Sequence, residues 1–298
     1  MYTYKKRYIN GNWQLPNTED TNDVINPANS ELCANTPSAT IEDIDKAVAA
    51  AKHAFAQWSA STTVKRVCQE LGGKSPFIIT EDADLAAAVR YGVEDVMINS
   101  GQTCCALTRM LVPESLYQQA IVIAKAVAEE NVVGDPQDQN VTMGPLSSSL
   151  QQKRVLDYIN IGIKEGAELV TGGQEIPTRL QQGTYVMPTI FTNVTNDMTI
   201  AQEEFFGPVL CMIPYSDEQE AIKIANDTVF GLSSGVFAKD ANAALKIARK
   251  IHAGQSYIQG TYFNSHAPFG GFKQSGNGRA WGVEGLREFI EVQSIIIT

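Results

Sequence analysis

Apolar positions along this chain alternate between two spacings. Phe77-Ile78-Ile79-Thr80 is a short unbroken run, the pattern of a strand buried on both faces. From Asp84 to Ile98 the spacing changes. Leu85, Ala88, Val89, Val93, Val96 and Met97 return every three or four residues, which predicts an amphipathic helix. The alternation then repeats. Strands are predicted over Thr108–Pro113, Glu168–Thr171, Val209–Pro214, Ser234–Ala238 and Ser256–Gly260. Tyr185–Phe191 also reads as extended. Helices are predicted over Ser115–Glu130, Ser149–Gly166, Glu218–Asn226 and Ala241–Ile251. Long helices between single strands predict an α/β fold, with a largely parallel, Rossmann-like sheet flanked by helices.

The two ends read differently. Tyr8–Trp13 is a strand, a turn and a strand, and Val24–Ala28 is extended up to a turn. Ile41–Trp58 is a predicted helix, with Thr40 and Asp43 placed to form a capping box. Its apolar stripe is Ile44, Val48, Ala51, Phe55 and Trp58. At the other end a short helix, Val283–Phe289, precedes a predicted terminal strand, Ile290–Thr298. Val292–Ile297 would be an apolar edge, a liability unless paired.

Composition narrows the function. The chain has 298 residues, a net charge of -10 and 44% hydrophobic residues, enough for a sizeable core. This charge argues against nucleic acid as a partner, and Lys5-Lys6-Arg7 is too short to be a basic face. No apolar run approaches the roughly 18 residues of a membrane span. The first residues lack the apolar stretch of a secretory signal. Cys33, Cys68, Cys104, Cys105 and Cys211 show no paired spacing, so reduced thiols and a cytoplasmic location are expected.

Two stretches carry chemistry. Glu70-Leu71-Gly72-Gly73-Lys74-Ser75-Pro76 sets a carboxylate beside two glycines, where backbone can approach a ligand closely. Asn99-Ser100-Gly101-Gln102-Thr103-Cys104-Cys105 sets thiols between a glycine turn and the apolar run Met110–Val112. A thiol and a carboxylate supply the nucleophile and the base for covalent catalysis on a carbonyl. Other motifs fall away. A phosphate loop ending at Lys74-Ser75 would need glycine where Cys68 stands. Gly276-Asn277-Gly278 is a turn rather than a dinucleotide fingerprint, because Gly282 comes one residue late. Asp135–Asn140 lacks the central glycine and closing glutamate of a calcium loop. His53, His252 and His266 have no metal-ligand spacing, and the first two are expected to be partly solvated.

The Glu-Leu-Gly-Gly-Lys and Gly-Gln-x-Cys motifs, in this order, resemble those of the aldehyde dehydrogenase superfamily. Ile9-Asn10-Gly11-Asn12-Trp13, Asn26-Pro27-Ala28 and Pro268–Arg279 are also similar to that family, with Ala280 departing from its usual glutamate. The resemblance implies Cys104 as nucleophile and Glu70 as general base, with Cys105 a neighbour. It implies NAD or NADP as cofactor, met by Glu204, Phe206 and Leu71. It implies a small aldehyde as substrate, with Asn264, Phe269 and Trp281 lining its tunnel and His266 near the mouth. It also implies a C-terminal oligomerisation strand, hence a homo-oligomer.

Set against that family, the chain is short in the middle. Trp58-Ser59 runs through Ala60–Val64 almost directly into the Glu70 motif. The family places most of its cofactor domain there, on the order of 150–200 residues. The expected division is residues 1–66, a remnant of the cofactor domain; 67–272, the catalytic domain; and 273–298, the C-terminal helix and strand. The family's Pro-Trp-Asn motif, source of an oxyanion donor, does not occur in the sequence. Losing one such donor costs about 10²–10³ in rate. The expected activity is therefore aldehyde dehydrogenation impaired at its redox step. The alternatives are a thiol esterase using Cys104 on acyl esters, and a non-catalytic oligomer. Val67, Leu71 and Phe206 are expected to form an apolar patch, covered by the N-terminal segment or another subunit.

Overall fold

The computed structural model of the protein describes residues 2–58, 68–290 and 294–297. The expected junction, Ser59–Val64, and Val67 lie outside the described residues. The N-terminal part contains β1 (Tyr2–Thr3), β2 (Arg7–Ile9), β3 (Asn12–Gln14), β4 (Thr21–Ile25), β5 (Leu32–Pro37) and α1 (Ile41–Trp58). β6 (Gln69–Glu70), β7 (Pro76–Ile79), α2 (Leu85–Met97), β8 (Arg109–Pro113), α3 (Tyr117–Glu129), α4 (Ser149–Glu165) and β9 (Glu168–Thr171) follow. Next come β10 (Thr189–Thr192), α5 (Thr199–Gln202), β11 (Val209–Tyr215), α6 (Glu218–Asn226), β12 (Ser233–Phe237), α7 (Ala241–Ala248) and β13 (Gln255–Ile258). The C-terminal part adds β14 (Gly276–Asn277) and α8 (Gly282–Arg287).

The central sheet has seven strands in the order β13-β12-β7-β8-β11-β10-β9. Every neighbouring pair is parallel except β9 with β10. The α/β expectation therefore holds. Alternate residues of each strand feed two cores, as the pleat requires. Phe77, Ile79, Met110 and Val112 join Val89, Val93 and Ala120 of α2 and α3 on one face. Ile78, Leu111, Cys211 and Val236 join Val155, Ala221 and Ile247 of α4, α6 and α7 on the other. Because β7 and β8 run parallel, with Pro76 opposite Arg109, the loops entering them lie side by side. Those loops carry Glu70 and Cys104.

The N-terminal segment forms the expected hairpin, β2 with β3, turning through Asn10 and Gly11 at positive φ. β5 lies between β1 and β4 in a separate small sheet. The segment is fastened to the α/β block where Pro27 O accepts the Thr184 N–H (2.8 Å) and Ser30 Oγ donates to Gln182 O (2.6 Å). The capping box of α1 forms as expected. Asp43 N–H donates to Thr40 Oγ1 (3.2 Å), and Thr40 N–H donates to Asp43 Oδ2 (3.0 Å). Arg7 also pairs with Asp43.

The stripe of α1 lies open at Ile44 (53% exposed), Val48 (60%) and Ala51. One expectation about the ends is corrected. The predicted terminal strand is absent among the described residues. Ile290 and residues 294–297 belong to no strand, and Ile295, Ile296 and Ile297 are exposed.

Candidate active site

The thiol turn begins where α2 ends. Asn99, Ser100 and Gly101 all take positive φ (53°, 57° and 72°), a reversal that L-residues enter only at a cost. Polar contacts hold it. Ser100 Oγ donates to Gly144 O (2.9 Å), and Ser147 N–H donates to Gln102 Oε1 (2.9 Å). Gly101 is required by space as well as by φ, since a Cβ there would lie 2.1 Å from the Gly207 carbonyl carbon. That approach sets the thiol turn against the Glu204–Pro208 stretch. Further along, the Leu107 N–H donates to Asp95 Oδ2 of α2 (2.8 Å). The Cys104 N–H has no acceptor among the described residues.

The carboxylate loop is held from the far end of the sequence. β14 pairs antiparallel with β6, placing Gly276 opposite Glu70. Leu71 N–H donates to Ser275 O (3.0 Å), and Ser275 Oγ donates to Gly72 O (2.7 Å). Arg109, fully buried, ties the base of both loops together. Its Nε donates to Lys74 O (3.0 Å), its Nη1 to Asn196 Oδ1 (2.7 Å) and Ile224 O (2.9 Å), and its Nη2 to Ala225 O (3.0 Å). Lys74 is also buried, its Nζ 4.0 Å from the centre of the Phe205 ring, and burial lowers its pKa to about 8.

These loops bring Cys104, Cys105 and Glu70 together, each close enough to alter the ionisation of Cys104. The Cys104 thiol is pushed far above the ordinary range, first by the Cys105 thiol, then by partial burial, then by the charge of Glu70. Cys105 shifts down, because the Cys104 thiol and the Tyr257 hydroxyl favour its charged form against burial and the charge of Asp95.

The residues expected to meet a cofactor lie at the edge of this group. Glu204 folds onto the Glu70 loop, its Oε1 accepting the Gly73 N–H (3.1 Å), and burial raises its pKa. Phe206 takes φ 58° and is half-buried, while Leu71 is 50% exposed. The hollow shared by Lys74, Thr108, Glu204 and Phe206 holds only about 10 Å³, room for about one water. Phe263, Phe269 and Trp281 form an aromatic cluster, with Phe263 and Trp281 4.6 Å apart. His266 and Asn264 are exposed. A much larger cleft, about 940 Å³, opens at the opposite, carboxyl ends of the strands. Its polar groups are largely paired with one another, as Lys250 with Glu218 and Ser115 with Glu81, and no cysteine lines it. The thiol end of the sheet is the better candidate.

The model of the aldehyde dehydrogenase family matches residues 13–66 and 59–295. The chain belongs to the aldehyde dehydrogenase family. It is 47% identical over 238 residues to a 3-succinoylsemialdehyde-pyridine dehydrogenase of a Pseudomonas species, covering 80% of this chain and 50% of that protein. The chain thus spans about half the length of the curated relatives it matches. Among solved structures it is similar to aldehyde dehydrogenase C of Pseudomonas syringae, crystallised with NAD+ and octanal. That match has TM-score 0.91 and 29% identity, covering 96% of this chain and 95% of that one. It is also similar to betaine aldehyde dehydrogenase of Staphylococcus aureus in complex with NAD+. There the TM-score is 0.73 and the identity 35%, covering 81% of this chain and 48% of that one.

Sequence reasoning singled out the thiol and the carboxylate but missed what holds them. Ser275 and Gly276 read as part of a turn, and nothing local ties them to Glu70. Arg109 reads as a charge closing a motif rather than a buried tie. Asp95 and Tyr257 gave no signal beyond their polarity in otherwise apolar segments.

Proposed function

We propose that this chain performs the acyl-transfer half of aldehyde dehydrogenase chemistry, with Cys104 as nucleophile and Glu70 as general base. The observation that carries this reading is the adjacency of the two groups on the parallel loops entering β7 and β8. The substrate class is a small aldehyde or an activated acyl ester.

With an ester, the Cys104 proton passes to Glu70 as sulfur bonds to the carbonyl carbon. The free Cys104 N–H is available to the oxyanion. Collapse expels the alcohol, which takes the proton held by Glu70, and leaves a thioester on Cys104. Glu70 then removes a proton from water, hydroxide attacks the thioester, and acid and thiol are released. The raised pKa of Cys104 supports this division of labour, since a neutral thiol needs a base beside it.

Aldehyde oxidation in the family uses NAD or NADP. Glu204, Phe206 and Leu71 are the residues of this chain assigned toward it. Of these, Glu204 and Phe206 line only the water-sized hollow, with the Glu204 carboxylate engaged by the Gly73 N–H, and Leu71 lies outside it. These residues alone do not fit a dinucleotide, and the chain spans half the length of its relatives. We therefore read its redox step as impaired. In this reading residues 1–66 are the remnant of the cofactor domain and 67–272 the catalytic domain. The exposed tail within 273–298 pairs with another copy of the chain.

The test is ester hydrolysis and NADH formation, measured side by side on the purified chain and on Cys104→Ala. Hydrolysis abolished in Cys104→Ala, with little or no NADH formation by the parent, is expected. Equal hydrolysis by parent and variant would leave the non-catalytic oligomer as the better reading. NADH formation that depends on Cys104 would overturn the impairment.

A further inference from the structure

Among the described residues, every hydrogen bond between the N-terminal segment and the α/β block runs through Pro27 or Ser30. The receiving stretch is Gln182–Thr184. Gly183 lets the two backbones meet, since a Cβ there would lie 2.3 Å from the Ala28 carbonyl oxygen. Thr184 turns this docking inward. Its N–H donates to Pro27 O (2.8 Å), and its carbonyl accepts the Leu146 N–H (2.9 Å). Its hydroxyl lies 3.0 Å from Pro27 O and 2.6 Å from Leu146 O, and its single proton can go to either. Thr184 and Leu146 are both buried. The next residue, Ser147, is gripped at two points by Gln102. The Ser147 N–H donates to Gln102 Oε1 (2.9 Å), and Gln102 Nε2 donates to Ser147 Oγ (3.1 Å). Gln102 is held in turn by Asn99, whose carbonyl accepts the Gln102 N–H (3.0 Å) and whose Nδ2 donates to Gln102 O (2.9 Å). Cys104 stands two residues further on. A continuous series of bonded residues therefore runs from Pro27 to the thiol turn.

We propose that the docked N-terminal segment sets the thiol turn for reaction, acting through Thr184, Leu146 and Ser147 on Gln102, a positioning residue for Cys104. The proposal rests on the reading of Cys104 as nucleophile. The turn needs such a hold. Asn99 and Ser100 sit at positive φ, and strain of that kind persists only where the surroundings over-determine it. Gln102 reaches out of the turn to a segment that is itself pinned by Thr184. With the grip on Ser147 lost, the turn can relax and carry the Cys104 sulfur away from its place beside Glu70. Misplacement of a reacting atom by about 1 Å can cost up to about 10² in rate. Contiguity becomes coupling only where a break at one end is felt at the other, and the test reads that directly.

The test is a single turnover of p-nitrophenyl acetate with the full chain in excess, followed by p-nitrophenolate release at several chain concentrations. This separates the maximal acylation rate constant from the half-saturating concentration. Gln102→Ala removes both contacts to Ser147. It is expected to lower the rate constant about tenfold and to leave half-saturation within about twofold. Gly183→Ala forces the N-terminal segment off the block at a site remote from the thiol turn, and is expected to lower the rate constant about threefold. The double variant is expected to match Gln102→Ala, because a link already cut cannot be cut again. Independent sites would instead multiply to a loss of about thirtyfold. If Gly183→Ala does not fold, Ser30→Gly takes its place in the cycle. It removes the bond to Gln182 O at a positive φ that glycine adopts freely. A rate constant unchanged in either single variant, a loss confined to half-saturation, or multiplied losses in the double variant overturns the proposal. Cys104→Ala separates this outcome from the catalytic reading. If that variant releases p-nitrophenolate as fast as the parent, both fail together. If release needs Cys104 but ignores Gln102, the catalytic reading stands and the positioning role alone fails.

Discussion

Helices α1 and α2 start from similar instructions and end in opposite surroundings. Each opens on a side-chain cap, Thr40 with Asp43 in one and Asp84 in the other, where Asp84 Oδ1 accepts the Ala87 N–H at 3.1 Å. Each carries apolar residues at helical spacing. In α2 that stripe is sealed, with Val89, Val93 and Val96 at 0% exposure. In α1 Ile41 is 81% exposed and Val48 60%. Local sequence is enough to make a helix and to stop its ends fraying. It does not supply the surface that an apolar stripe needs. For α2 that surface is the sheet of the same chain; for α1 it is not among the described residues. The central sheet covers the apolar stripe of α2, and the described N-terminal segment leaves that of α1 open at Ile41, Ile44 and Val48.

The largest effect is expected at the tie of the block. Arg109→Ala would leave the Lys74 and Ala225 carbonyls without this donor, at about 1–3 kcal/mol for each buried group left unpaired. A loss of more than about 3 kcal/mol is expected in a urea titration. A loss below about 1 kcal/mol would mean that the two loops do not depend on this tie.

The helices themselves provide a matched pair. Val93→Ala removes fully buried methyl groups and should cost about 2 kcal/mol, from lost transfer energy and the cavity left behind. Val48→Ala changes a surface position and should stay within about 0.5 kcal/mol. Denaturation of both variants at several protein concentrations sharpens the contrast. If Val48→Ala costs as much as Val93→Ala at high concentration only, a second copy covers α1.

What could be read from sequence follows the same division. The strands and helices of the block were legible because their periodicity reflects burial on a sheet the chain itself provides. Cys104 and Glu70 were singled out because their two motifs together resemble those of the aldehyde dehydrogenase family; neither residue's local setting alone would have marked it. The pairing of Gly276 with Glu70 was not, since it joins residues that no local spacing connects. Gly276 is fixed there by φ 123° and by the Gln69 carbonyl oxygen, 1.9 Å from where a Cβ would lie. The terminal strand was expected from an apolar run, Val292–Ile297, whose described residues pair with no strand. Asp95 was passed over because a carboxylate on a helix usually faces water, and its acceptor role depends on a turn that follows.

The central claim is that Cys104 carries the acyl group and Glu70 drives its release. The most direct test is mass spectrometry of the intact chain and its digest, sampled during reaction with p-nitrophenyl acetate. The parent should show a transient acetyl group on Cys104. Glu70→Gln should gain the group more slowly, because Cys104 has lost its base, and should hold it longer once formed, because water is no longer deprotonated. An acetyl group on another residue, or one that leaves Cys104 equally fast in both proteins, would contradict the account.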